Sequence, residues 1–178
     1  MKQNYNALIL KSVKITAGAI LAILFASCLN LKYSATAGII TILSIQNTKK
    51  ETIQTALARG EAFCCALLVS FLCYNFFGYT TAAFGIYLLI FTTLCLIMKW
   101  SSAIAMDSVL ITHFLAEKTM NIPMIANEIS LFLIGAGIGV LLNLSLRPKE
   151  NEWKDKIAKA DESIRAIIQR MAERIRTL

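Results

Sequence analysis

Four long, nearly uncharged apolar stretches, residues 13–31, 62–77, 80–98 and 129–146, are interleaved with two short ones, residues 34–45 and 101–116. A helix needs about 20 apolar residues to cross a hydrocarbon core of about 30 Å, because each backbone N–H and C=O must find its partner inside the segment. The pattern predicts an all-α integral membrane bundle of six segments. Composition agrees: 57% hydrophobic residues, 16% charged residues and a mean hydropathy of +0.62 are too apolar for a soluble domain of 178 residues.

The first stretch is of spanning length and lacks a small-x-small cleavage site, so it is expected to stay as the first span rather than leave as a signal peptide. Orientation follows from the basic residues. With the N-terminus in the cytoplasm, 16 Lys and Arg lie inside and only Lys32 and Lys118 lie outside. That bias requires an even number of crossings, so six spans of the bacterial cell membrane with both termini cytoplasmic are expected. It also accounts for the net charge of +7 without a nucleic-acid partner. The five cysteines all fall in apolar segments without metal-ligand spacing and read as small packing residues, with no metal or other cofactor expected.

An ungapped shift of 67 residues pairs Gly18 with Gly85, Cys28 with Cys95, Lys32 with Lys99, Ser34 with Ser101 and Glu61 with Glu128. Both halves read long span, basic residue with aromatic and serine, short span, polar turn, long span. A three-crossing unit used twice must insert its second copy upside down, which predicts inverted repeats with short second and fifth helices. Ser34 and Ser101 are expected to open those helices as N-caps, either simply satisfying backbone N–H groups or presenting them to an anion.

The first short span runs into Gln46, Asn47, Thr48, Lys49, Lys50 and Arg59 with no Gly or Pro until Gly60. A helix is therefore expected to project into the cytoplasm with a basic rim of Lys49, Lys50 and Arg59. That rim either snorkels at the interface or attracts an acidic solute. Gln46 and Thr48 belong to the same polar mouth. The second short span carries Asp107 near its middle and His113 and Glu117 one turn apart. An ionised group at mid-bilayer costs about 2.5–3.5 kcal/mol even on permissive scales, so these residues are expected to line a substrate path or relay protons. The competing possibility is that they bond to polar side chains on neighbouring helices. His113 and Glu117, at i and i+4, share a face and can hydrogen-bond.

Gly18, Ala22 and Ala26, and the pair Gly135 and Gly139, place small residues on one helix face for close packing. Asn143 is expected to bond a neighbouring helix. Residues 1–148 form the membrane domain and residues 149–178 a charged cytoplasmic tail. Ile157, Ile164, Met171 and Leu178 recur every seven residues in it, joined by Ile168 and Ile175 and interrupted by Asp161. Such a helix packs on another helix, on a second copy's tail or on the membrane surface. The periodicity is still running at Leu178, which fits a longer cytoplasmic region.

The run Ile45, Gln46, Asn47, Thr48, Lys49, Lys50, with Arg59 after it, the stretch His113 to Glu117, and the close Asn143, Leu144, Ser145, Leu146, Arg147, Pro148 resemble the bacterial aromatic acid exporter family. More distantly they are similar to fusaric acid resistance proteins and plant malate channels. The resemblance implies a six-span bundle working as a homodimer in contact with membrane lipid, and efflux of small organic, including aromatic, acid anions. A membrane scaffold acting through its tail is the alternative. An enzyme is not expected, since the chain has one histidine, no nucleophile beside a base and no metal cluster.

Overall fold

The computed structural model describes residues 5–45, 49–145 and 150–176. Gln46 and Thr48 lie outside the described residues, as do the side chains of Lys49 and Lys50. Seven helices are seen among the described residues: α1 (Tyr5–Cys28), α2 (Ala35–Leu43), α3 (Lys49–Phe77), α4 (Thr81–Ile97), α5 (Ile104–Glu117), α6 (Ile122–Ser145) and α7 (Glu150–Arg176). The chain divides into two compact units, Met1–Leu146 and Arg147–Leu178.

Among the described residues three helices are long and apolar enough to cross a membrane, within Ile9–Cys28, Glu51–Phe77 and Ile122–Leu144. The stretch at residues 80–98, expected as a fourth full span, forms an apolar helix of 17 residues. At 1.5 Å per residue that is about 26 Å, somewhat below a typical hydrocarbon thickness. Its ends are trimmed by local chemistry. Thr80 is extended and its hydroxyl accepts from the Ala83 N–H at 3.2 Å, while Lys99 adopts φ +62 and lets Trp100 N–H reach back to Cys95 O at 2.7 Å. The helix expected to project and stop at Gly60 instead stops at Leu43. A separate helix, α3, then runs through Gly60, where a side chain would meet nothing within 4 Å.

The turn from α1 to α2 is built like the turn from α4 to α5. Asn30 (φ +53) matches Lys99, and Leu31 N–H to Ala26 O at 3.1 Å matches the Trp100 bond. These positions, and the starts of α2 and α5 at Ala35 and Ile104, are 69 residues apart, two more than the identities at 67 imply. Neither serine caps with its side chain. Ser34 already has helical dihedrals and makes no cap bond, and the residue preceding α5 is Ala103, with Ser101 further back in the turn. The N–H groups the serines would have served are taken by carbonyls: Thr36 by Tyr33 O at 2.8 Å, Ala37 by Ser34 O at 3.1 Å and Ala103 by Trp100 O at 2.8 Å.

In the first unit, α2 packs on α1, α6 and α5; α3 packs on α4, α5 and α6; α1 touches α6, and α4 touches α5. The short helices α2 and α5 thus meet at the centre. One buried cluster joins Ala22, Ala26, Ala37, Ile40, Met106, Leu110, Leu131 and Ala136. The other is aromatic, with Tyr74, Tyr87, Phe91 and Phe114 packed on Ala62, Ala66, Ala83 and Cys95. Outward-facing side chains are large and apolar, among them Leu21, Leu24, Phe25, Leu68, Phe71, Leu72, Leu89, Leu133 and Leu141. Water would make such a surface a liability, whereas lipid is its matching solvent.

In the second unit, α7 is strongly amphipathic, and every described side chain from Ile157 to Met171 is exposed. Asp161, which interrupts the apolar seam, pairs with Arg165 one turn on at 3.1 Å.

Candidate functional site

Buried polar residues gather at the two ends of α5. At its C-terminal end, His113 (7% exposed) and Glu128 of α6 (0%) meet with Nδ1 and Oε2 2.7 Å apart. An ionised Glu128 requires the Nδ1 proton, so Nε2, 3.3 Å from Thr36 Oγ1 of α2, either accepts from that hydroxyl or donates to it as imidazolium. Tyr33 lies flat over the imidazole, with ring centroids 4.0 Å apart and planes within 4°. Its φ of +59 is a left-handed conformation rare for a residue with a bulky side chain. The structure holds it there through its hydroxyl, which donates to Glu117 Oε1 at 3.2 Å.

Two further contacts clamp the α1–α2 turn. Lys32 Nζ bonds Glu117 Oε2 at 2.8 Å. The Asn127 amide holds both backbone groups of Lys32, accepting from its N–H at 2.8 Å and donating to its carbonyl at 3.1 Å, and it also donates to Glu128 Oε1 at 3.0 Å. The Lys32 hydrogen bond holds the Glu117 carboxyl below its usual range, and the same bond raises the Lys32 ammonium. His113 and Glu117, which share a face and could bond each other, take other partners: Glu117 turns to Lys32 and Tyr33, and His113 turns inward to Glu128. In the sequence Glu128 pairs only with its repeat mate Glu61, which is exposed on α3. The signal that could single it out is a carboxylate at the very edge of the last apolar stretch with no basic residue near it in sequence.

At the N-terminal end of α5, Arg59 is 5% exposed rather than part of an open basic rim. Its Nε donates to Ser102 O at 3.2 Å and its Nη1 to Ser44 Oγ at 3.4 Å, tying α3 to the ends of α2 and α5. Asp107 lies in the first turn of α5 rather than its middle. It is fully buried, and neither carboxylate oxygen has a hydrogen-bond partner among the described residues. Between the two polar ends the buried faces of α5 and α2 carry Met106, Leu110, Ile111 and Ile40. Ser101 is exposed and joins neither cluster, and Ser34 is half-buried beside Tyr33. Asn143 does bond a neighbouring helix, donating to Thr52 of α3. All five cysteines are free, and no group of three His, Cys, Asp or Glu side chains suited to a metal occurs among the described residues.

The sequence model described as aromatic acid exporter family member 1 matches residues 7–146. YqjA of Bacillus subtilis (strain 168), a protein named as uncharacterized, is 36% identical over 150 residues, which are 83% of this chain and 47% of that protein. The chain therefore spans about half the length of this relative. No solved structure matches. A match across nearly the whole helical unit that carries both buried clusters shows that this membrane protein belongs to the aromatic acid exporter family.

Proposed function

We propose that the chain moves small organic acid anions, aromatic ones included, outward across a bacterial cytoplasmic membrane, with both termini in the cytoplasm. Family membership supports membrane transport. The observation that carries the anion path is the burial of Arg59, Asp107, His113 and Glu128 at the two ends of one short helix inside a lipid-facing bundle. Ionisable side chains buried in a membrane are costly and need protein partners, and four of them serve packing poorly when leucine would fill the same volume.

In this scheme α5 and α2 form the moving centre of two inverted repeats, α1–α3 and α4–α6. Exchanging the repeats turns each helix contact into another: α1 with α2 becomes α4 with α5, α2 with α6 becomes α5 with α3, and α1 with α6 becomes α4 with α3. Anions arrive at the Arg59 end, with Lys49 and Lys50 near the mouth in sequence, and leave through the end closed by Tyr33, Glu117 and His113. Labelled hydroxybenzoate offered to inverted vesicles tests this. Accumulation above that of vesicles lacking the protein is expected, and its absence across a panel of aromatic and aliphatic acids sinks the proposal.

A second role as a scaffold is favoured by one feature, the exposed apolar residues Ile157, Ile164, Ile168 and Met171 on α7. Removing residues 154–178 separates the two. Acid tolerance unchanged by the deletion supports the carrier, whereas loss of phenotype with normal membrane insertion supports the scaffold.

A further inference from the structure

Glu117 is held as a carboxylate ligand would be held. Lys32 Nζ donates to its Oε2 at 2.8 Å and the Tyr33 hydroxyl to its Oε1 at 3.2 Å, so two consecutive residues of the α1–α2 turn serve one oxygen each. The donors belong to the turn, and the carboxylate belongs to α5. Solvent reaches the pair, with the Lys32 and Glu117 side chains 60% and 28% exposed. An exposed ion pair contributes little, so a dissolved carboxylate competes with Glu117 for the same donors.

Tyr33 gives that exchange a consequence. Its ring lies flat on His113, which is 7% exposed beneath a side chain that is itself 38% exposed. The left-handed backbone of Tyr33 is not required by the path of the turn. In the matching turn into α5, Lys99 is left-handed at the place of Asn30, but Ser102, at the place of Tyr33, has no positive φ. What the strained conformation serves is the seating of the ring on His113. Lys32 is fixed separately, because the Asn127 amide of α6 holds its N–H and its carbonyl. The Tyr33 side chain, apart from its stack on His113, is tied only to Glu117 among the described residues.

We propose that the α1–α2 turn is a carboxylate-binding site, filled in this closed state by Glu117, and that a carboxylate anion taking Glu117's place frees the Tyr33 ring to leave His113. This rests on the transport proposal above and adds the chemistry that opens the end closed by Tyr33. The exchange conserves charge: one carboxylate leaves the Lys32 ammonium as another arrives, and Glu117 passes into water. Lys32 stays under Asn127, so the site persists while the lid moves. With the tie to α5 gone, the stack alone opposes the relaxation of the left-handed backbone.

The chain has one histidine, so isotopic labelling of the histidine ring gives a single imidazole signal in the magnetic resonance spectrum of the purified full chain. The ring current of Tyr33 shifts that signal upfield, and Tyr33→Leu supplies the uncovered position. Acetate, a carboxylate with no ring of its own, is titrated at fixed pH against chloride at equal ionic strength. Acetate should move the signal saturably toward the uncovered position, and chloride should leave it in place. Glu117→Ala should rest near the uncovered position without acetate, and Lys32→Gln should lose the acetate response. No movement with acetate at high millimolar concentration, an equal movement with chloride, or a covered imidazole in Glu117→Ala each overturns the site. The comparison of the two anions on the unmodified chain decides the matter even where a variant fails to fold. Acid transport by a protein whose signal acetate never moves would keep the carrier and remove this site. A signal moved by acetate in a protein that transports nothing would do the reverse.

Discussion

Gly135 on α6 faces α2 so closely that a Cβ built on it would lie 2.6 Å from Ala37 O and 2.6 Å from Ile40 Cβ. On the other side of the unit Phe91, also wholly buried, stacks on Tyr87 with centroids 5.5 Å apart. The α1–α2–α6 region joins backbones through glycine and alanine, and Thr41 sends its hydroxyl to both Ala37 O and Gly135 O at 2.9 and 3.0 Å. The α3–α4–α5 region fills its seams with rings. In lipid the difference matters, because side chains leaving an interface enter a medium as apolar as the one they left, so contact quality rather than water exclusion holds helices together. Backbone-to-backbone contact has no slack, whereas rings can repack.

The sharpest way to break this contrast is to add volume on the glycine side. Gly135→Val should destabilise the protein at or beyond the top of the ~1–3 kcal/mol range for overpacking, since the obstacle is a carbonyl and not a flexible side-chain tip. Gly137→Ala on the same helix, where a Cβ meets nothing within 4 Å, should leave the melting temperature in detergent almost unchanged. Equal effects of the two would show that α2 and α6 are not locked.

Removing volume on the aromatic side should cost less. Phe91→Ala in a soluble core costs ~3–5 kcal/mol, part of it lost transfer from water, and that part vanishes when the unfolded reference is helices in lipid. About half that loss is expected, read as the same melting shift. A Phe91→Ala effect exceeding that of Gly135→Val would reverse the ranking of the two regions.

This contrast was half visible beforehand. Gly135 and Gly139 on one ridge announced a close approach, because spacing of four on a helix is local information. The six segments were equally legible from hydropathy, and the short second and fifth helices appear where expected. What the chain order hides is pairing over long separations. Arg59 looked like an interfacial cation because its partner, the Ser102 carbonyl, lies 43 residues away. Glu128 is hidden in the sequence because His113 has a nearer carboxylate at i+4, and only the fold reveals that Lys32, 85 residues distant, claims Glu117 first. The serine caps failed for a related reason: left-handed Tyr33 and Lys99 wind the chain into the short helices, so carbonyls reach the N–H groups before hydroxyls can.

The smallest effect belongs to the latch between the two regions, where Lys32 of the α1–α2 turn meets Glu117 of α5. Glu117 is held below its ordinary value of 4.5 by Lys32, so its contribution is present above that value and is lost as the pH falls through the lower folded one. Lys32 is raised above 10.5, so its contribution is present below that value and is lost as the pH rises through the higher folded one. From mildly acidic to mildly alkaline conditions the latch should therefore be constant. The small melting difference between the unmodified chain and Glu117→Gln should stay flat there, shrink with added salt because the pair is exposed, and disappear only in strong acid or strong alkali. A difference that instead changed through the histidine range would mean that Glu117 reports the protonation of His113 beneath Tyr33, joining the latch to the buried pair as one titrating unit.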